Sequence, residues 1–217
     1  MKKYKYLLFD LDGTLTLSHP GIYACFRYAL AAFGKENPSD EELKKCVGPS
    51  LGYAFKNFFG LEGEDVAKAV AKYRERYAVV GLFENDVMPY AIECLKALKE
   101  AGYSLAMATS KPKVFSDQIA DRFGFTEYLT VLVGSGIDGS LPTKADVIKE
   151  VMRQFGAAKE ECLMIGDRFH DREGAKLCGI DCAMLRVGYA VDGEIESCAP
   201  EYVFDGLQEL TEFLLAE

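Results

Sequence analysis

The sequence predicts an α/β protein, a parallel sheet with helices on both faces, interrupted early by an all-helical insertion. Three observations point there. Short apolar runs recur along the chain, and several stop at polar or charged residues. From about Pro89 onward, stretches of helical periodicity separate these runs, the rhythm of βαβ units on a parallel sheet. Between Leu17 and Asn85 the pattern is helical throughout, with no strand. A length of 217 residues equals roughly 1.4 average domains, which suits one core carrying an insert.

The first predicted strand is Tyr6-Leu7-Leu8-Phe9, a run short enough for a buried strand, and it stops at Asp10-Leu11-Asp12-Gly13-Thr14. In the insert, Ile22, Phe26, Ala29, Leu30 and Phe33 make one apolar stripe. Ser39-Asp40-Glu41-Glu42 starts another helix with acids in its first turn, and Leu51 to Phe59 and Val66 to Val80 are further helices. The chain crosses between insert and core near Thr16–Pro20 and Glu84–Pro89. A helix then runs from about Pro89 to Ala101, ended by Gly102, and a strand spans Ser104 to Ala108, stopping at Thr109-Ser110-Lys111-Pro112. A helix over Val114 to Phe123, a strand near Thr130 to Val133 and a helix over Ala145 to Phe155 follow. Cys162 to Ile165 is the next strand, ending at Gly166-Asp167, with a helix near Asp171 to Cys178. Strands at Asp181 to Leu185 and Tyr202 to Phe204 and a helix from Gly206 to Leu215 complete the pattern.

Composition narrows the function. Hydrophobic residues make up 49% and charged residues 27%, which excludes a disordered or collagen-like chain. No apolar run approaches the ~20 residues needed to cross a bilayer, and the lysine-rich start meets a carboxylate too soon for a signal peptide. The expectation is a cytoplasmic protein without a membrane partner. The net charge of −9 and the lack of a basic run argue against nucleic acid. That field also repels anionic substrates, so an enzyme for them needs a local cation or a metal ion. Cys25, Cys46, Cys94, Cys162, Cys178, Cys182 and Cys198 are odd in number with no C-x-x-C, so reduced thiols are expected rather than disulfides or zinc.

In a parallel sheet, ligands sit outside the carboxyl ends of the strands. Four polar sets fall there or at a helix start: Asp10 with Asp12, Thr109 with Ser110 and Lys111, Lys144, and Asp167 with Asp171. Taken singly, each has an ordinary structural role: an Asp-rich turn, a helix cap, a solvated lysine. Converging, the carboxylates would repel one another without a ligand. Hard oxygen donors suit Mg²⁺, which takes one or two carboxylates plus substrate phosphate. Lys144 and Thr109 offer the cation and hydroxyl that a phosphate needs.

Asp10-Leu11-Asp12-Gly13-Thr14, Thr109, Lys144 and Gly166-Asp167 with Asp171, in this order, resemble the haloacid dehalogenase superfamily. The likeness covers essentially the whole chain, and within the superfamily the chain resembles the phosphoglycolate phosphatase-like branch with a small helical cap. Met164 to Asp171, with Gly134-Ser135-Gly136 and Asp138-Gly139-Ser140 before it, resembles members labelled 5′-nucleotidase. The resemblance implies a Rossmann-like core over residues 1–16 and 87–217 and a cap over 17–86. It also implies a Mg-dependent phosphatase for a small phosphorylated metabolite, with phosphoglycolate and nucleoside 5′-monophosphates favoured, working as a monomer or homodimer.

The roles it implies are specific. Asp10 would be the nucleophile that forms an aspartyl-phosphate. Asp12 would protonate the leaving alkoxide and later activate water. Thr109 would bond a phosphate oxygen and Lys144 would neutralise charge. The metal would be held by Asp10, the backbone carbonyl of Asp12 and Asp167, with Asp171 as a further ligand or supporting partner. Gly13, Ser110 and Lys111, and in the cap Gly48, Ser50 and Arg74, would contact substrate. Asp12 sets the chain apart from the superfamily's dehalogenases, which lack a carboxylate at that spacing. Ser110 stands where asparagine is frequent and Ala145 where proline is, and neither change removes a charge. A phosphomutase on the same scaffold is the alternative, and a non-catalytic binding protein is a third possibility.

Overall fold

The computed structural model describes residues 3–216. Six parallel strands form the main sheet: β1 (Tyr6–Phe9), β4 (Ser104–Pro112), β5 (Val131–Ser135), β6 (Cys162–Gly166), β7 (Asp181–Leu185) and β8 (Tyr202–Phe204). Their spatial order is β5-β4-β1-β6-β7-β8. After β1 the chain builds outward on one side through β4 and β5, then returns to build the other side from β6 to β8. The strand order therefore reverses at β1, and the crevice at that reversal is where an open parallel sheet binds ligands. Leu8 pairs with Ala106 on one side and Met164 on the other, so the chain leaves β1, β4 and β6 at one edge.

The central strands read as continuous apolar runs because both their faces are covered. Leu8, Ala106, Ala108, Val133, Met164 and Met184 point to one face, where they pack with Val147, Ile148 and Val151 of α7 (Lys144–Phe155) and Ala175 of α8 (Phe169–Cys178). Helices α5 (Ala91–Glu100) and α10 (Leu207–Leu215) pack against each other and bury Cys94, Leu95, Leu98, Leu210 and Leu214. Helix α6 (Lys113–Arg122) packs on β4 and β5.

Residues Leu17–Asp86 cluster as a separate compact unit. It holds α1 (His19–Ala31), α2 (Asp40–Lys44), α3 (Leu51–Asn57) and α4 (Glu64–Tyr77). Phe26 is the centre of its core, 5.0 Å from the rings of both Phe55 and Tyr73 and 5.9 Å from Phe59. Ile22, Phe26, Ala29 and Leu30 of the predicted stripe are buried, and Phe33 is half-buried.

Four features correct the sequence reading. Strands exist at the borders of the insert: β2 (Thr16–Leu17) and β3 (Asp86–Val87) pair as a small ladder. Two residues are too few to show a period. Strand β4 continues to Pro112 rather than stopping at Ala108, with a register shift between Thr109 and Pro112 that frees Ser110 and Lys111 from regular pairing with β5. Helix α8 begins at Phe169, two residues before the expected start. A short helix, α9 (Glu194–Cys198), was not expected. All seven cysteines are free, and no described helix is long and apolar enough to cross a membrane.

Candidate active site

Asp10 follows directly on β1, and its N–H donates to Ile165 O of the neighbouring strand, 2.9 Å away. The turn after it is tight: Gly13 N–H donates to Thr16 O, and the N–H groups of Leu15 and Thr16 both donate to Leu11 O. Gly13 sits at φ 87°, where a side chain is strained. Asp167 follows β6, and Asp171 lies in the first turn of α8. One oxygen from each of Asp10, Asp167 and Asp171 lies within 4.8 Å of the others, and all three residues are buried.

Lys144, the first residue of α7, is only 6% exposed, which overturns its ordinary reading as a solvated helix lysine. Its ammonium stands 2.8 Å from Oδ1 of Asp10 and 2.8 Å from Oδ1 of Asp171. It also donates a hydrogen bond to Ala108 O at 3.0 Å. Gly174 of α8 faces the Lys144 stem so closely that a methyl group there would collide with it. The contacts to Asp10 and Asp171 are charge contacts outside hydrogen-bond geometry, and both Oδ1 atoms have no hydrogen-bond partner among the described residues.

The other oxygen of Asp171 and both oxygens of Asp167 are committed. Asp171 Oδ2 accepts from Arg168 N–H at 3.0 Å and so caps α8, as the sequence allowed. Asp167 Oδ2 accepts from Tyr189 N–H at 2.6 Å, and its Oδ1 takes a long 3.4 Å bond from the Thr14 hydroxyl. Burial pushes Asp10 up to about 6, with Lys144 pulling it back and Asp171 adding to the rise. Asp167 is pushed well up by burial, by Asp171 and by Asp10. Burial works against the Lys144 ammonium, but Asp10 and Asp171 overcome it and raise its pKa. With three carboxylates ionised, one ammonium leaves two negative charges in a buried cluster. That deficit and an all-oxygen donor set fit a hard divalent cation.

The other predicted core residues gather at the same strand ends. Asp12 is two residues beyond Asp10, and its Oδ2 lies 2.6 Å from the Lys111 ammonium. Thr109, near the end of β4, is buried, and its Oγ1 accepts from Lys111 N–H at 3.2 Å rather than capping a helix. Ser110 uses its carbonyl to accept from the Ser135 hydroxyl at 2.8 Å. The cap candidates belong to the other compact unit. Ser50 caps α3 by accepting from Tyr53 N–H, Gly48 sits at φ 106°, and Arg74 on α4 has a buried Nε without a partner among the described residues.

Sequence reasoning missed the support behind Asp167. Gly188 and Tyr189 follow β7; a methyl group on Gly188 would overlap Asp167, and Tyr189 supplies its hydrogen bond. The Val187-Gly188-Tyr189 stretch at a strand end was the available signal. Glu194 of α9 has no such local signal. Its Oε1 accepts from Arg168 Nε at 2.9 Å and from Phe169 N–H at 2.7 Å, and its Oε2 from Val191 N–H at 3.1 Å. The Arg168–Glu194 pair is buried on both sides. Burial disfavours the Glu194 carboxylate, yet these donors hold it below its ordinary value. Its stabilising effect is therefore present above the usual glutamate pKa of about 4.3 and is lost as pH falls through its lower folded value. Glu194→Ala removes the buried carboxylate to which Arg168 Nε and the N–H groups of Phe169 and Val191 donate, a loss of about 3–5 kcal/mol that a thermal melt would register as a fall of roughly 6–20 °C. Glu194→Gln, which keeps an acceptor for Arg168, should lose clearly less; a loss below about 1 kcal/mol in Glu194→Ala would show that the pair is not what holds this segment.

Comparison with known proteins finds relatives along most of the chain. Residues 7–185 match the family model described as haloacid dehalogenase-like hydrolase. The chain is 38% identical to a 5′-nucleotidase of Pseudomonas aeruginosa, across 98% of this chain and 96% of that protein. It is 29% identical to phosphoglycolate phosphatase 1 of the same species, across 94% of this chain and 77% of that one. A crystal structure of a predicted phosphatase from Clostridium acetobutylicum superposes with a TM-score of 0.94 at 36% identity, covering 99% of both chains.

Proposed function

We propose that this chain, which belongs to the haloacid dehalogenase-like hydrolase family and is a phosphatase, cleaves a small phosphate monoester through an aspartyl-phosphate on Asp10. The observation that carries the reading is the buried cluster of Asp10, Asp167, Asp171 and Lys144 at the sheet's reversal point, with a second carboxylate two residues from the first. A pure binding site needs no acid beside a nucleophile.

Asp10 presents a carboxylate oxygen that attacks phosphorus, forming an O–P bond as the ester oxygen departs. Lys144 holds that carboxylate from one side and offsets the charge of the incoming phosphoryl group. Thr109 already accepts from Lys111 N–H, so its own hydroxyl proton is available to a phosphate oxygen. Asp12 gives its proton to the leaving alkoxide, then takes one from the water that cleaves the acyl phosphate. Asp10, Asp167, Asp171 and the backbone carbonyl of Asp12 would hold Mg²⁺, which when bound screens the carboxylates from the phosphate.

The names of the two Pseudomonas relatives support a nucleoside 5′-monophosphate or phosphoglycolate as substrate. Gly48, Ser50 and Arg74 are the proposed contacts to the organic part, and the unpartnered Arg74 Nε supports an anionic group there. Free cysteines support a reducing compartment, the cytoplasm. A panel of phosphate monoesters assayed with Mg²⁺ for released phosphate tests the reading. Hydrolysis of at least one small ester is expected, with little isomer formed from sugar phosphates. Isomer in excess of free phosphate would favour a mutase, and no turnover on any member would favour a binding protein.

A further inference from the structure

We infer that Lys111 is a positioning residue that clamps one oxygen of Asp12 and leaves the other as the atom that moves protons. The inference rests on the acid–base role proposed for Asp12, and it replaces the expected substrate contact for Lys111.

The local backbone puts Lys111 in place. The register shift after Thr109 takes Ser110 and Lys111 out of the β4–β5 ladder, and the Thr109 hydroxyl catches Lys111 N–H at 3.2 Å. The side chain is then directed to Asp12 Oδ2, 2.6 Å away, a link between residues 99 apart in sequence. Both side chains are largely withdrawn from water, 6% exposed for Lys111 and 14% for Asp12. A charged hydrogen bond so shielded is stronger and more directional than a surface pair. Asp12 Oδ1 is buried without a partner among the described residues. The two oxygens of one carboxylate are therefore inequivalent: Oδ2 is held and Oδ1 is open.

The proton balance fits this division. In the first half-reaction the Oδ1–H bond breaks, its proton goes to the ester oxygen, and the P–O ester bond breaks as Asp10 bonds to phosphorus. In the second, Oδ1 takes a proton from water as the new O–P bond forms and the acyl phosphate breaks. Lys111 keeps its three protons throughout. Its part is to fix the carboxylate so that Oδ1 meets the leaving group in a reactive geometry, where a misplacement of about 1 Å costs on the order of 100-fold.

Substrates with different leaving groups separate this from phosphate binding. An alkyl phosphate needs its leaving oxygen protonated, whereas p-nitrophenolate departs with little help. In Lys111→Met, single-turnover cleavage of an alkyl phosphate accepted by the wild type should fall about 100-fold. The pre-steady-state burst of p-nitrophenol should fall by a tenth of that or less. Inhibition by inorganic phosphate should stay within about threefold of the wild type. Lys111→Arg, which restores a cation, should recover part of the alkyl rate. Equal losses on both esters, or a tenfold weaker phosphate inhibition, would overturn the inference in favour of direct phosphate contact. If the Met variant melts early, the Arg variant alone decides, since an alkyl-selective loss supports the clamp and an even loss sinks it. Failure of the wild type on every ester would instead sink the underlying phosphatase mechanism.

Discussion

Asp10→Asn should abolish phosphate release, lowering turnover by roughly 10⁴-fold or more, the scale of losing a covalent nucleophile. The amide keeps the shape of the side chain, but its neutral oxygen lacks the negative charge that makes the carboxylate a nucleophile toward phosphorus. Fold loss would not explain the result. Asp10 is buried and its ionised form is disfavoured, so replacing it relieves a desolvation cost, and Lys144 keeps Asp171 as a partner. The metal-free variant should therefore melt no lower than the wild type. A phosphate-release assay beside a thermal melt gives both readings. Full activity, with mass spectrometry excluding deamidation, would remove Asp10 as nucleophile.

Chelation should have the second-largest effect. Treatment with EDTA should silence turnover, and added Mg²⁺ should restore activity and raise the melting temperature. At a Mg²⁺ concentration 100 times its dissociation constant the gain is about 2.7 kcal/mol, or roughly 5–11 °C for a chain of this size. The pH dependence has a definite sign. Burial pushes Asp10 up to about 6 in the metal-free protein and Asp167 well up. A raised folded pKa contributes stability that is complete below the unfolded aspartate value of about 3.9 and is lost as pH rises through the folded value. Metal-free protein should thus lose stability from about pH 4 to pH 6, where the cluster becomes ionised. Mg²⁺ requires the ionised form, so its stabilisation should be larger at pH 8 than at pH 5. Calorimetric melts at the two pH values with and without Mg²⁺ check this. An equal gain at both would mean that the ion binds elsewhere.

The sheet and the residues at its edge were legible because they obey local rules. Strands buried on both faces are continuous apolar runs, and the first polar residue after such a run lies at the edge where ligands bind. Asp10, Thr109 and Asp167 were found in this way and Lys144 and Asp171 at helix starts, and family resemblance then gave the set its roles. What stayed hidden depends on contacts distant in sequence. The extension of β4 past Ala108 is set by its pairing with β5. The burial of Lys144 depends on α8, where Gly174 makes room for its stem. The partnership of Lys111 with Asp12 spans 99 residues and that of Glu194 with Arg168 spans 26, and neither leaves a periodic trace. The ladder of β2 and β3 is too short to carry one.

Gly13, Gly166, Gly174 and Gly188 each face a charged side chain of the cluster with no space for a methyl group: Asp167 for the first and last, Asp171 for Gly166, Lys144 for Gly174. Any larger residue at these positions would displace a charge instead of filling a void. For laboratory evolution this divides the molecule in advance. Libraries aimed at a new specificity should leave those four codons untouched, because even alanine there would push a charged side chain of the cluster out of place.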